Sequence, residues 1–283
     1  MAAREYRFIV LVILLILGGS CRHEASAEDV VSGADIRAAY RVTLAGISLG
    51  KFHLNAELKG TDYELNAKGK FSLLAGILYE ASGNTSSSGT FTKEGPRPSK
   101  FTVAYRGGKK KEQRELRFDD GVVSDISIKP KKRTSRRAVP VTEEQLVDVL
   151  DPLTAAFLSA HYQGAPGDLG VCNRRVPVFD GKQRYDILLT PKRTQTLESD
   201  APSALPGLAA VCRVKFVPIG GYRPEHPGIK FMTQTEEIEV WLVSLPATSL
   251  YVPYQIFVPT ALGTGSVTLI DIKIDFERRA SIP

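Results

Sequence analysis

From residue 40 to residue 276, large apolar side chains recur at every second position, run after run. Tyr40, Val42 and Leu44 fall on one face, as do Phe52, Leu54, Ala56 and Leu58, and then Tyr63, Leu65, Ala67 and Phe71. The pattern returns at Phe101, Val103 and Tyr105, at Tyr185, Ile187 and Leu189, and at Ile238, Val240 and Leu242. It ends with Ile270, Ile272, Ile274 and Phe276, separated by Asp271, Lys273 and Asp275. Side chains alternate across a strand, so period two with one polar face describes half-buried strands. Gly60-Thr61-Asp62, Gly107-Gly108, Asp119-Asp120-Gly121, Asp180-Gly181 and Gly220-Gly221 punctuate the runs as turns. About a dozen short strands with a wet face predict an antiparallel sheet that curls on itself, and exclude a buried parallel sheet. A chain 43% hydrophobic and 24% charged is too apolar for disorder and too polar for multiple membrane spans.

One segment breaks the alternation. Thr142 and Gln145 stand at capping-box spacing, and Leu146, Val149, Leu150, Leu153 and Phe157 follow at helical intervals. Asp151-Pro152 offers a second N-cap with proline in the first turn. The expected fold is therefore mostly β: a curled antiparallel sheet, or incompletely closed β-barrel, with residues 142–161 as two short helices or one kinked helix across the concave face. Two polar stretches read as loops: Ser82 to Gly89, and residues 191–210 with Pro191, Pro202 and Pro206.

The first 27 residues read as a secretory signal: Arg4 and Arg7, the apolar run Phe8 to Leu17, and Ala25-Ser26-Ala27 as the small-x-small cleavage site. The alternative is a lipid anchor at Cys21, which follows Gly19-Ser20. Residues 28–283 are expected to form a single β-rich domain in the periplasm. In an oxidising compartment Cys172 and Cys212 are expected to pair, closing a loop of 40 residues.

The positive charge is local. Between Arg106 and Arg137 twelve Lys and Arg face five acids. The patch comprises Lys109, Lys110 and Lys111, then Lys131, Lys132, Arg133, Arg136 and Arg137. With Phe118 the one aromatic among them, the spacing does not suit nucleic acid, and a secreted location disfavours it further. Anionic membrane headgroups or lipopolysaccharide phosphates fit better as partners.

Motifs that carry chemistry are missing from the sequence. There is no Gly-x-Ser-x-Gly elbow, no phosphate-cradling glycine loop, and no metal set among His53, His161 and His226. The pairs Asp119-Asp120 and Glu236-Glu237 would point to opposite faces of a strand. No cofactor and no catalytic residue is expected. What remains is apolar surface: Phe52, Tyr63 and Phe101 on the curved sheet could line a trough for an acyl chain, with Leu150, Leu153 and Phe157 as its lid.

Four segments in order carry a family resemblance: Leu44-Ala45-Gly46-Ile47-Ser48-Leu49-Gly50, Asp151-Pro152-Leu153-Thr154-Ala155-Ala156-Phe157, Phe179-Asp180-Gly181-Lys182-Gln183-Arg184-Tyr185-Asp186, and Pro218-Ile219-Gly220-Gly221-Tyr222. Together they resemble the envelope proteins grouped as domain of unknown function 3108. The resemblance implies a shape similar to the lipoprotein carriers of Gram-negative periplasms, and it brings no catalytic residues. The expected function is non-enzymatic binding or scaffolding of the cell envelope, with lipid, acyl chain or lipoprotein in the trough. The alternatives are a module binding protein or glycan through its outer surface, and an envelope hydrolase.

Overall fold

The computed structural model describes residues 33–73, 79–108, 110–131, 135–260 and 262–276. The expected leader, Cys21, Lys109, Lys132 and Arg133 lie outside these residues. The strands are β1 (Ala34–Leu44), β2 (Ile47–Lys59), β3 (Asp62–Leu73), β4 (Tyr79–Thr92), β5 (Gly95–Gly107), β6 (Lys110–Asp119) and β7 (Val122–Lys129). They continue as β8 (Arg174–Phe179), β9 (Arg184–Thr196), β10 (Leu208–Gly220), β11 (Ile238–Ser244), β12 (Tyr251–Val258) and β13 (Gly265–Phe276). The helices are α1 (Pro152–Phe157) and α2 (Pro227–Gln234).

All thirteen strands form one antiparallel sheet in the order β7-β6-β5-β4-β3-β2-β1-β13-β12-β11-β10-β9-β8. Two meanders, β1 to β7 and β8 to β13, join where β1 pairs with β13, so the first and last strands meet in mid-sheet. The free edges are β7 and β8, which are consecutive in sequence but are not joined by a ladder. The sheet is thus curled and incompletely closed, as the alternation predicts.

Register carries one face across the molecule. Tyr40 lies opposite Phe52 on one side and Leu269 on the other, Val42 opposite Val267, Val267 opposite Ile256, and Ile256 opposite Val240. This face lines the interior. The alternation of β13 slips once, at a bulge where Tyr40 meets Leu269 and Ala38 meets Ile272, so Ile270 does not join the inward row with Ile272. β10 and β11 are buried on both faces. Cys212, Val240 and Leu242 look inward, while Val211, Trp241 and Val243 join a cluster with Leu197 and Leu205 of the β9–β10 loop. Burial on two faces explains why these strands read as nearly continuous apolar runs.

The structure corrects three local expectations. Residues 82–89 are not a loop but the middle of β4, paired with β3 and β5 along their length. The loop after β9 spans only residues 197–207, because β9 runs through Pro191. Proline is tolerated there because the ladder bulges between Val211 and Cys212, opposite it. The helical segment is also broken. A 3-10 turn covers Glu143–Leu146, with the capping box of Thr142 and Gln145 in place, and α1 starts at Pro152. Between them the chain forms a strap that bridges to both edges of the sheet, turning at Asp148 where φ is 51°.

That strap crosses the seam. Val147 bridges to Val122 of β7, and Leu150 bridges in parallel to Val178 of β8. Asp148 N donates to Gly121 O at 2.9 Å, Leu150 N to Pro177 O at 2.9 Å, and Phe179 N to Leu150 O at 2.9 Å. Backbone groups of two edge strands thus find partners in one short stretch of chain, which blunts both edges. The Asp120-Gly121 turn that receives the strap has φ of 44° and 79°, the left-handed pair that a tight hairpin turn needs.

Candidate functional site

The site is organised by α1, which the strap delivers into the interior. Asp151 Oδ1 accepts the amides of Leu153 at 2.9 Å and Thr154 at 3.0 Å, capping the helix, and Pro152 fixes its first turn. The cap is completely buried, and its other oxygen accepts Ser87 Oγ of β4 at 2.7 Å. Ser87 Oγ also lies 2.8 Å from Thr154 Oγ1, which is 3.1 Å from the Tyr63 hydroxyl of β3. This four-residue polar cluster fixes the helix to the sheet's inner wall. A bulkier residue than serine at position 87 would push the helix out, so a small polar residue there is a packing requirement.

Burial raises the Asp151 carboxyl above its ordinary value of 3.8, and the hydrogen bonds from Thr154, Ser87 and Leu153 offset this only in part. The folded chain therefore holds this proton more tightly than the unfolded chain. The carboxyl's contribution to stability is complete below about pH 3.8 and is lost as pH rises from there through the raised value. Asp151→Asn keeps a good cap without the charge. Its stability relative to wild type, from urea melts, is expected to rise between about pH 4 and about pH 7. A difference that stays constant over that range would refute the assignment.

Two apolar hollows flank α1 on the inner face, and Pro152 and Ala156 border both. The larger, about 430 Å³, lies between the Leu153 and Phe157 side of the helix and strands β2 to β6. The smaller, about 260 Å³, lies against β8 to β12, with Val176, Ile187, Val214 and Leu242 in its wall. Two glycines, Gly69 and Gly83, line the larger hollow. Along one inward row Phe52, Gly69, Gly83 and Tyr105 sit directly opposite one another on four adjacent strands. Two aromatics therefore bracket two positions without side chains. A Cβ on Gly69 would come within 2.9 Å of both Phe52 Cβ and the Phe71 ring. Ala156, Tyr105, Asn84 and Lys68 are the exposed residues at its border.

Of the residues expected in the trough, Phe52, Phe101, Leu153 and Phe157 line this hollow together. Phe52 stacks on Tyr40 at 4.8 Å, and Phe157 meets the same ring edge-on at 5.7 Å. Tyr63 does not line it: the ring packs on Phe91 and the hydroxyl serves the cap cluster. Leu150 is likewise not on the lid, because it belongs to the strap pairing with β8. Gly69 and Gly83 carry no apolar signal in the sequence, and their pairing emerges only from register.

The seam has its own polar latch. The β8–β9 turn reaches β6, where buried Glu112 takes Lys182 Nζ at 2.5 Å and Arg114 Nε at 2.8 Å. Arg114 Nη1 pairs with Asp180 Oδ2 at 2.9 Å. Asp180 Oδ1 also accepts the amides of Lys182 and Gln183, holding the turn's shape. Gly221, at φ 75°, packs so closely beneath this turn that a Cβ would stand 1.7 Å from Lys182 O. Three of the four sequence segments singled out above therefore converge around α1 and the seam.

Cys172, at the end of a 3-10 turn (Leu169–Cys172), is bonded to Cys212 of β10, and both are fully buried. Arg114 turns into the seam, while Lys110 and Lys111 on β6 and Lys131, Arg136 and Arg137 after β7 are exposed. His161 does not end a helix, because α1 stops at Phe157; its backbone bridges to Leu250, and burial and Arg174 lower its pKa.

No curated protein matches the chain. Among solved structures, the chain is similar to a β-barrel-like protein of domain of unknown function DUF1849 from Brucella abortus, known from a crystal structure. The two share 11% identity with a TM-score of 0.49, over 87% of this chain and 99% of that one. The model of the family described as protein of unknown function DUF3108 matches residues 39–270, so the chain, with its strapped open barrel, belongs to that family.

Proposed function

We propose that the protein is a non-enzymatic lipid-binding protein of the cell envelope, holding an acyl chain in the hollow between α1 and strands β2 to β6. The observation that carries this reading is the 430 Å³ apolar hollow itself. Its volume falls in the range of ligand sites, which begin at about 300 Å³. Its lining is aromatic and aliphatic, with Lys68, Asn84, Arg114 and Asp180 at the margin, which suits an amphiphile with a polar end. The buried carboxylates support binding over catalysis. Glu112 is committed to Arg114 and Lys182, Asp186 to Arg175 and Arg184, and Asp151 to the helix cap. The periplasm is the proposed compartment, after cleavage behind Ala27. The buried disulfide fits an oxidising location, and the first 27 residues have the order of a secretory signal.

Native mass spectrometry of protein prepared without detergent is expected to show the chain plus one acyl lipid. Ala156 is exposed and borders both hollows, so Ala156→Trp is expected to block entry and to remove most of the adduct. Melting temperature should stay close to wild type, since the added ring occupies empty space. A bare chain mass for wild type, or an adduct that survives Ala156→Trp unchanged, would count against this site.

A further inference from the structure

On the outer face of β1 to β6 the register sorts charge by row. Arg41 lies opposite Lys51, Lys51 opposite Lys70, Lys70 opposite Ser82, Ser82 opposite Arg106, and Arg106 opposite Lys111. One row across six strands thus holds five cations, one serine and no acid, and all five cations are exposed. The next row along adds His53 and Lys68. At the other end of the same strands the balance reverses, with Asp35, Glu57 and Glu64 opposite one another. Cations near that end are neutralised, as in Lys100 and Arg117 with Glu115, whereas among the described residues only Lys70 of the cationic row has a carboxylate partner, Glu80 at 3.7 Å.

Like charges directly opposite on neighbouring strands are destabilising. The row contains three such pairs, Arg41–Lys51, Lys51–Lys70 and Arg106–Lys111, which folding does not require. The side chains line an open groove that includes Lys51, Lys68, Lys70, Arg106 and Lys111. Five strand spacings make the row about 24 Å wide, too broad for one phosphate and suited to an array of them. At the same end of the barrel, the β1–β2 and β12–β13 turns touch through the Ala45 amide on Thr264 O, at 2.9 Å. They bring with them Ile47 and Leu262, 56% and 75% exposed.

We infer that this end of the outer face docks on an anionic phospholipid bilayer, the cation row lying on the headgroup phosphates and Ile47 and Leu262 entering the interface. A cationic face bordered by exposed aliphatics is the chemistry of peripheral membrane binding. The groove and the hollow beneath α1 lie on opposite faces of the same strands and share Lys68, Gly69, Gly83, Asn84, Ala104 and Tyr105, whereas Lys51, Lys70 and Arg106 line the groove alone, so variants at these three test docking without altering the hollow's lining.

The test is co-sedimentation of the full chain with phosphatidylcholine vesicles, with and without phosphatidylglycerol, at low and high salt. Binding is expected only to the anionic vesicles and should weaken with salt. Each cation near such a surface contributes about fivefold in partition, so Lys51→Gln, Lys70→Gln and Arg106→Gln together should lower binding about a hundredfold. The pair Lys100→Gln and Arg117→Gln, at the opposite end of the face, should leave binding unchanged. The triple variant should melt no lower than wild type, since it relieves repulsion, and should keep its interior lipid by mass. Equal binding to neutral vesicles, wild-type binding by the triple variant, or retention on a soluble polyphosphate without vesicle binding would each overturn the inference.

Discussion

Tyr40→Ala is expected to lower stability by about 4 kcal/mol, in the range for removing a large buried ring. Tyr40 is 1% exposed and sits on β1, where the two meanders meet. Its ring stacks on Phe52 of β2 and receives the edge of Phe157, so it supports the wall of the hollow and α1 together. Its hydroxyl donates to Pro253 O of β12 at 3.0 Å, reaching past β13 to the next strand of the second meander. Burial pushes the phenol well above its usual range, so it remains a neutral donor at any working pH. Tyr40→Phe keeps the stack and removes only that bond, and should cost about 1 kcal/mol. Urea unfolding of the two variants separates the terms. If Tyr40→Phe were as harmful as Tyr40→Ala, the link to Pro253 rather than the ring would join the halves.

The second large effect is the disulfide. Replacing Cys172 and Cys212 by serine opens a 40-residue loop, and the chain-entropy relation gives a loss of about 4 kcal/mol. In a chain of this size that is a fall in Tm of roughly 10 °C. The bond ties the turn before β8 to β10 within a cluster that includes Val171, Leu189, Val214 and Val240. These residues continue the wall of the smaller hollow, so the bond also holds the far side of α1's surroundings. Both sulfurs are fully buried, so reductant should act on the native protein only as it unfolds. A double variant within 1 kcal/mol of wild type would mean that packing alone holds the turn.

How far the sequence could be read depends on range. Asp151-Pro152 was legible as a cap because capping is a matter of three consecutive residues, and the helix starts there. The preceding residues were misread because Val149 and Leu150 fit a helical spacing, yet two free strand edges offer the backbone better partners than a helix would. Ser82 to Gly89 reads as a loop in isolation, since small polar residues have weak strand propensity. In the fold, those residues are paired on both sides, and Ser87 Oγ has Asp151 and Thr154 within hydrogen-bond distance. The aromatics Phe52 and Phe101 are legible as inward-facing; that they line one hollow together with Gly69 and Gly83 follows only from the register.

What the sequence determined by itself is the all-antiparallel character of the sheet, the inward face of the strands that alternate, the helix cap and the pair of cysteines available to bond. Each of these is written in neighbouring residues or in a period of two, which the backbone enforces locally. Tertiary structure alone decided the path of the strap between β7 and β8, the space left under α1, and the row of cations on the outer face. These depend on the register between strands far apart in the chain, and a shift of one residue would turn every side chain of a strand to the other face.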